Sequence, residues 1–163
     1  MAGSAVSELI FFTAALLISA SVAVALVEIV EDYSASLRDE ASLLNADMRA
    51  RVTIVNDPFY VPYDGTSGDL SFYLKNTGTS GLSLDDIVVS ANGTARSGSS
   101  LTASVLGGGS LWSPGRTVEV VFSVPDLTEG TDYHGWASTS GLTEEGMARG
   151  NAQDTIVFRV TEV

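Results

Sequence analysis

The sequence predicts an α+β protein in which one long N-terminal helix is followed by an all-β antiparallel sandwich. Three observations predict this fold class. No charged residue, Gly or Pro lies between Glu8 and Glu28. Apolar residues then keep a helical spacing as far as about residue 50, after which they alternate with a period of two. Turn-forming residues separate the alternating segments. We therefore divide the chain into residues 1–50 and 51–163.

Residues 9–27 have the length and composition of a transmembrane helix, because about 20 apolar residues cross a hydrocarbon core about 30 Å thick. A cleaved secretory signal is the main alternative, and Ile18–Ala20 and Ser21–Ala23 resemble its small-residue cleavage sites. Such a signal begins with basic residues, whereas residues 1–8 contain no Lys or Arg. We therefore expect the helix to be retained.

The helical pattern continues beyond Glu28, where apolar residues recur at steps of three, four or seven. This stripe consists of Val30, Tyr33, Leu37, Leu44 and Met48. A narrow apolar stripe between polar residues is typical of a helix that packs against partner helices. A continuous helix from about Ser4 to Ala50 is roughly 70 Å long, which exceeds what one bilayer requires. The sequence thus predicts a helical stem after the membrane segment.

Two features of the membrane segment bear on assembly. Ala15, Ser19 and Ala23 repeat every four residues and form a small-residue face on which another helix can approach closely, although small residues are frequent in membrane helices generally. Glu8 either pairs with a cationic group of a neighbouring subunit or lies at the water interface, where the helix dipole favours a carboxylate. We expect self-association through this helix.

After Arg51, three segments alternate apolar and polar residues as half-buried strands do: Leu70–Lys75, Thr117–Val124 and Thr155–Thr161. Less regular candidates are Val52–Val55, Ile87–Ala91, Leu101–Leu106 and Tyr133–Ser138. About seven short strands separated by turns predict a sandwich of immunoglobulin type. Pro114–Gly115 fits a type II turn before the strand from Thr117. Residues 141–153 lack strand character and are predicted to form a surface loop with a helical turn from Thr143.

The charge balance excludes some partners of the sandwich. The 163 residues include 20 acidic and eight basic side chains, and the formal net charge is -12. Nucleic acid and anionic lipid would be repelled by such a surface. High salt screens the mutual repulsion of surface carboxylates, so we expect a halophilic source. The chain has no Cys, which excludes disulfides and thiolate metal sites.

No enzymatic motif is present in the sequence. His134 is the single histidine, so a His-dependent base or a multi-His metal site lacks partners within one chain. The glycines at 107–109 are not followed by the Lys-Ser/Thr of a phosphate loop. The acidic clusters lack the spacing of a calcium loop. The sequence predicts no catalytic residue, cofactor or metal.

Asn92-Gly-Thr94 matches the acceptor for an N-linked sugar, although Asn-Gly is also the residue pair that a tight hairpin turn favours. Large domains are translocated largely regardless of nearby charge, so the lack of basic residues in the N-terminal tail does not oppose export of the sandwich. We expect the N-terminus inside the cell and the sandwich outside the cytoplasm.

The assembled features resemble the archaellum accessory proteins of the FlaG and FlaF family, and FlaG more closely. The resemblance rests on Ser7–Ala23, the acidic stem, and a sandwich containing Phe72–Gly78 and Trp112–Gly115. The helix is also similar to those of archaellins and archaeal type IV pilins. This resemblance implies a non-enzymatic component in the archaeal cell membrane with its sandwich in the pseudoperiplasm. It further implies a stator that ties the motor to the S-layer together with a FlaF-like partner.

Two other functions stay open. A pilin-like or archaellin-like filament subunit is made with a basic leader that a peptidase removes. The sequence shows no such leader, which favours an accessory protein, although Glu8 lies five residues beyond Gly3 as in pilins. A mature N-terminus at Ser4 would support that alternative. A membrane-tethered sensor or ligand-binding module would instead have a lined pocket with convergent polar groups.

Overall fold

The computed structural model describes residues 2–142 and 149–163. The chain divides into two compact units, Met1–Ala41 and Ser42–Val163. The helical turn predicted from Thr143 lies outside the described residues. The predicted fold class, a long N-terminal helix followed by a β-sandwich, is confirmed.

The N-terminal helix, α1, spans Ala2–Arg49, which agrees closely with the predicted Ser4–Ala50. A short 3-10 helix lies at Gly98–Ser100. The most apolar 18-residue window of α1 has a mean hydropathy of 2.5, and no residue of that window is buried. The helix is therefore long and apolar enough to cross a membrane. No proline marks the C-terminal end of α1 in the sequence, since the first Pro of the chain is Pro58.

The described residues of the second unit form ten short strands, more than the seven predicted. They are β1 Val52–Ile54, β2 Val61–Asp64, β3 Asp69–Asn76, β4 Val88–Ala91, β5 Thr94–Ser97, β6 Leu101–Val105, β7 Thr117–Ser123, β8 Tyr133–Ser140, β9 Asn151–Phe158 and β10 Val160–Glu162. Strands β2 and β5 were missed because β2 contains a proline and β5 carries no apolar alternation. The predicted loop was wrong in its last residues, since Asn151–Gln153 begin β9 and pair with β8.

The strands form two sheets. One is six-stranded in the order β10-β2-β3-β7-β6, with β1 also paired to β3, and the other is four-stranded in the order β5-β4-β8-β9. The predicted strand Thr155–Thr161 is interrupted at Arg159, where the chain passes from the four-stranded sheet into the six-stranded one. There β10 pairs with β2 in parallel, so the sandwich is not wholly antiparallel as expected.

The core lies between the sheets and is centred on aromatic rings. Phe72 makes edge contacts with Phe122 and Phe158, with ring centroids 5.2 and 5.4 Å apart. Gly135 of β8 faces this cluster, and a Cβ atom there would lie 2.8 Å from the Phe72 ring. The glycine is thus required because the rings occupy the space of its side chain.

Candidate functional site

The helix residues predicted to mediate packing are all solvent-exposed on α1. They are Glu8, Ala15, Ser19, Ala23, Val30, Tyr33, Leu37 and Leu44. A soluble monomer rarely exposes so large a contiguous apolar surface, which marks a site of contact with lipid or protein. The packing roles of these residues stay a prediction.

Two hydroxyl groups in the apolar segment of α1 form hydrogen bonds within the helix itself. Thr13 Oγ1 donates to the carbonyl of Leu9 at 3.0 Å, and Ser21 Oγ donates to that of Leu17 at 2.9 Å. A polar group in hydrocarbon must find a partner because no water is present there. These two side chains therefore add little cost to insertion of the segment into a bilayer.

The C-terminal end of α1 is held by the loop that follows β3, which we call the capping loop (residues 77–80). The carbonyl of Arg49 accepts hydrogen bonds from Thr79 N at 2.9 Å and Ser80 N at 3.3 Å. The carbonyl of Arg51 accepts from Thr77 N and Gly78 N at 3.0 and 3.2 Å. The last carbonyls of a helix have no hydrogen-bond partner inside the helix. The capping loop supplies such partners, so α1 ends here although the sequence has no helix-breaking residue at this point.

Gly78 allows this close approach of two backbone segments. A Cβ atom at Gly78 would lie 2.2 Å from the carbonyl oxygen of Arg49 and 2.7 Å from the nitrogen of Arg51. Both neighbours are backbone atoms and cannot rotate away. Any side chain at Gly78 would therefore push the loop off the helix end.

Asn76 fixes the conformation of the capping loop. Its side chain is fully buried. Its amide nitrogen donates to the carbonyls of Ser80 and Trp112 at 2.9 and 3.1 Å, and its amide oxygen accepts from Gly78 N at 3.0 Å. A buried amide with three satisfied hydrogen bonds rigidifies its surroundings. The two sandwich segments on which the family resemblance rests, Phe72–Gly78 and Trp112–Gly115, thus meet at Asn76.

A second contact holds the same end of the helix. Ala46 is buried, and a Cβ atom at Gly150 would lie 2.1 Å from its carbonyl oxygen. Asp47 Oδ1 accepts a hydrogen bond of 2.7 Å from the backbone nitrogen of Asn151. We define the helix–sandwich junction as Ala46–Arg51 together with the contacts of this segment with Gly78 and Gly150. The junction lies wholly within the second compact unit. Sequence reasoning missed it, because the contacts join segments that are far apart in the chain.

The predicted sugar acceptor lies in an exposed hairpin turn between β4 and β5. Asn92 and Gly93 both have positive φ angles, 49° and 77°. Two successive positive φ angles are the geometry that Asn-Gly favours in a two-residue hairpin. The structure therefore explains the residue pair without a sugar, and glycosylation of Asn92 stays a prediction.

Comparison with known proteins assigns the chain to a family. The profile of the archaeal-type flagellin family matches residues 2–149. The chain belongs to the archaeal-type flagellin family. A flagella-related protein G of Methanocaldococcus jannaschii is 28% identical over 136 residues, which cover 82% of this chain and 86% of that protein. A protein of the same name from Methanococcus voltae is 34% identical over 90 residues, 55% of this chain and 59% of its own length.

No solved structure matches this member of the archaeal-type flagellin family. Its relatives make it an archaellum-related, FlaG-like protein, in agreement with the coarser part of the sequence prediction. The family match includes α1 and the capping loop. The predicted links to a motor and to the S-layer go beyond these similarities.

The perturbed titratable groups of this family member have local structural causes. Hydrogen bonds from the backbone nitrogens of Thr66 and Ser67 lower the pKa of Asp64 within a turn. A hydrogen bond from Arg159 lowers the pKa of Asp132. A hydrogen bond with Glu119 raises the pKa of Tyr73. Within residues 2–142 and 149–163, no three His, Cys, Asp or Glu side chains are grouped as metal ligands would be.

Proposed function

We propose that this protein is a static, non-enzymatic component of the archaellum. Residues 9–27 of α1 hold it in the cell membrane, and the sandwich lies in the pseudoperiplasm, where it links the motor to the S-layer with a FlaF-like partner. The observation that carries the proposal is an exposed apolar helix whose C-terminal end is immobilised by backbone hydrogen bonds from a folded domain.

The helix–sandwich junction suits a component that bears load. Only Ala50 and Arg51 separate the end of α1 from the start of β1. Both Arg49 and Arg51 offer carbonyls to the capping loop, so neither side of this short connection is free to act as a hinge. Because the backbone contacts leave no room for a side chain at Gly78, the junction is tightly packed at this point. A static anchor needs such a connection, whereas a flexible tether does not.

Deletion of the gene and complementation with variants tests the role in motility. We expect the deletion strain to make archaellin but to lose swimming, and the wild-type gene to restore it. Gly78→Val should fail to restore swimming although the protein still reaches the membrane. Gly65→Ala is the matched control, since its Cβ would meet only the mobile carboxyl end of Glu162. Normal swimming of the deletion strain would refute the proposal.

A filament subunit is the second candidate, and membership of the archaeal-type flagellin family favours it. Sheared filaments and washed membranes from the same cells separate the two functions. The static component stays with the membranes and keeps its N-terminus. A filament subunit is instead recovered with the sheared filaments, and its mass corresponds to a start at Ser4.

A further inference from the structure

The outer face of the four-stranded sheet is uncharged. In β4, β5, β8 and β9, all of which the structure describes, the outward positions alternate with buried core residues such as Val89, Ala137 and Phe158. None of the outward residues is Asp, Glu, Lys or Arg. We call this surface the neutral face; it consists of Val88, Ser90, Ala95, Ser97, His134, Trp136, Ser138, Ser140, Asn151, Gln153, Thr155 and Val157, of which Ser90 is buried.

The outer face of the six-stranded sheet differs in charge. Its outward residues include Asp64, Asp69, Lys75 and Glu119, three acids and one base. This mixture is what a chain with a net charge of -12 is expected to place on a solvated surface. The lack of charged residues on the neutral face is therefore a local feature and is not explained by the overall composition.

Trp136 lies at the centre of the neutral face. It pairs with Ser90 on one side and Thr155 on the other, and Val157 is its diagonal neighbour. Trp136 is 38% exposed and Val157 is 50% exposed. The other tryptophan, Trp112, is fully buried, and its indole nitrogen donates to the carbonyl of Arg116 at 3.1 Å. A large aromatic residue exposed among small uncharged residues is typical of the centre of a protein interface.

We infer that the neutral face binds the same face of a second copy of this chain. Two copies that each carry a charge of -12 repel one another wherever carboxylates meet. They can approach without like-charge contacts through the neutral face, whereas a strongly basic partner would find no carboxylate there to pair with. Carboxylates border the face but are not among its own residues: Asp86 is bonded to Ser140, Asp47 is bonded to the backbone of Asn151, and Asp154 of the edge strand β9 lines a surface cavity with Trp136.

The area of the face indicates weak pairing. Strands about 4.8 Å apart that rise about 3.3 Å per residue give roughly 400 Å² of flat area per copy. The total for two copies is at the low end of protein interfaces, where contacts are transient. Anchoring both copies in one membrane raises their effective concentration. The inference rests on the proposed membrane anchor for this reason.

The absence of cysteine allows single-cysteine variants of the full chain to test the pairing. Thr155→Cys places a probe beside Trp136, and Thr102→Cys is a matched exposed threonine on the six-stranded sheet. Each variant is reconstituted in lipid vesicles and treated with a short bifunctional maleimide. We expect Thr155→Cys to give at least about fivefold more cross-linked homodimer than Thr102→Cys, since only the paired face holds its probes together.

Adding Trp136→Glu to Thr155→Cys should reduce the cross-linked homodimer at least about fivefold, because like charges then face each other at the centre of the contact. Val121→Glu on the outer face of β7 is the matched control and should leave the yield unchanged. Equal yields at positions 155 and 102, or no effect of Trp136→Glu, would overturn the inference. So would a cross-link from position 155 to a different protein in cells.

Membrane retention is scored separately, by washing the vesicles with alkaline carbonate before cross-linking. Loss of the protein in the wash contradicts the proposed anchor. The ratio of cross-links at positions 155 and 102 is measured in both the washed vesicles and the wash, and it reports on the neutral face alone. A Ser19→Cys variant reports on helix packing. Cross-links at position 19 without those at position 155 would leave the anchor standing and refute the paired face.

Discussion

At the scale of single residues, the helix–sandwich junction depends on positions where a small side chain or a buried amide has no substitute. Gly78 and Gly150 each face a helix carbonyl at a distance that no Cβ atom tolerates. Asn76 holds the capping loop through three hydrogen bonds and is fully buried. Such positions are sensitive to substitution although none of them carries chemistry.

Gly78→Ala should destabilise the sandwich by at least about 2 kcal/mol, because the new Cβ meets backbone atoms that cannot move aside. Chemical unfolding of the full chain in detergent, followed by tryptophan fluorescence, measures the change. Gly65→Ala should cost less than about 1 kcal/mol, since a flexible Glu162 side chain can yield. Equal losses for the two variants would show that the junction is not tightly packed.

Asn76→Ala should lower the free energy of unfolding by about 2–4 kcal/mol, since it removes three hydrogen bonds made by a fully buried side chain. Asn151→Ala is the control, because Asn151 is exposed and its backbone bond to Asp47 does not involve its side chain. The same unfolding assay compares them. A loss for Asn76→Ala no greater than that of the control would contradict the role of the amide.

The ion pair of Asp132 and Arg159 gives a pH-dependent contribution. Asp132 Oδ1 lies 2.5 Å from Arg159 Nε, and this hydrogen bond lowers the pKa of Asp132 from its ordinary value of 3.8. Because the pKa of Asp132 is lower in the folded chain, its ionised carboxylate stabilises the fold at a pH above the ordinary pKa. This stabilisation is lost as the pH falls through the lowered pKa of the folded state.

Unfolding of the wild-type chain and of Asp132→Asn should therefore differ slightly at neutral pH and converge in acid. High salt should reduce the difference because both side chains are largely exposed. Denaturant midpoints measured from pH 7 down to strong acid check this expectation. A difference that grows on acidification would have the wrong sign.

At the scale of elements, the sequence predicted what depends on local periodicity. The helix was predicted by its unbroken apolar run, and β3 and β7 by strict alternation. Strand β10 was merged with β9, because the turn at Arg159 preserves the alternation while the chain changes sheets. The junction and the neutral face could not be predicted, since they depend on which strands lie side by side and on contacts between distant segments.

The small-residue face of α1 yields a prediction at this scale. Ser19→Leu should weaken self-association of the full chain in detergent by about 1 kcal/mol, because the larger side chain blocks close approach of a second helix. Ser21→Leu, about half a turn away from that face, should have little effect. Oligomer mass by light scattering compares them. Similar behaviour of both variants would exclude the face formed by Ala15, Ser19 and Ala23.

At the scale of the whole molecule, the account combines an apolar helix, an immobilised helix end and an acidic sandwich in an archaellum-related protein. These three features are the basis of the proposed static role. The similarity to flagella-related proteins G supports a place in the archaellum machinery. The proposed partners of the sandwich depend on the side of the membrane on which it lies.

Labelling of single cysteines in living cells measures that side directly. Thr102→Cys reports on the sandwich and Gly3→Cys on the start of α1, in a chain with no other cysteine. A membrane-impermeant maleimide should label position 102 in intact cells freed of their S-layer, and position 3 only after lysis. Labelling of position 3 in intact cells with position 102 protected, or recovery of the chain from soluble fractions without detergent, would contradict the account.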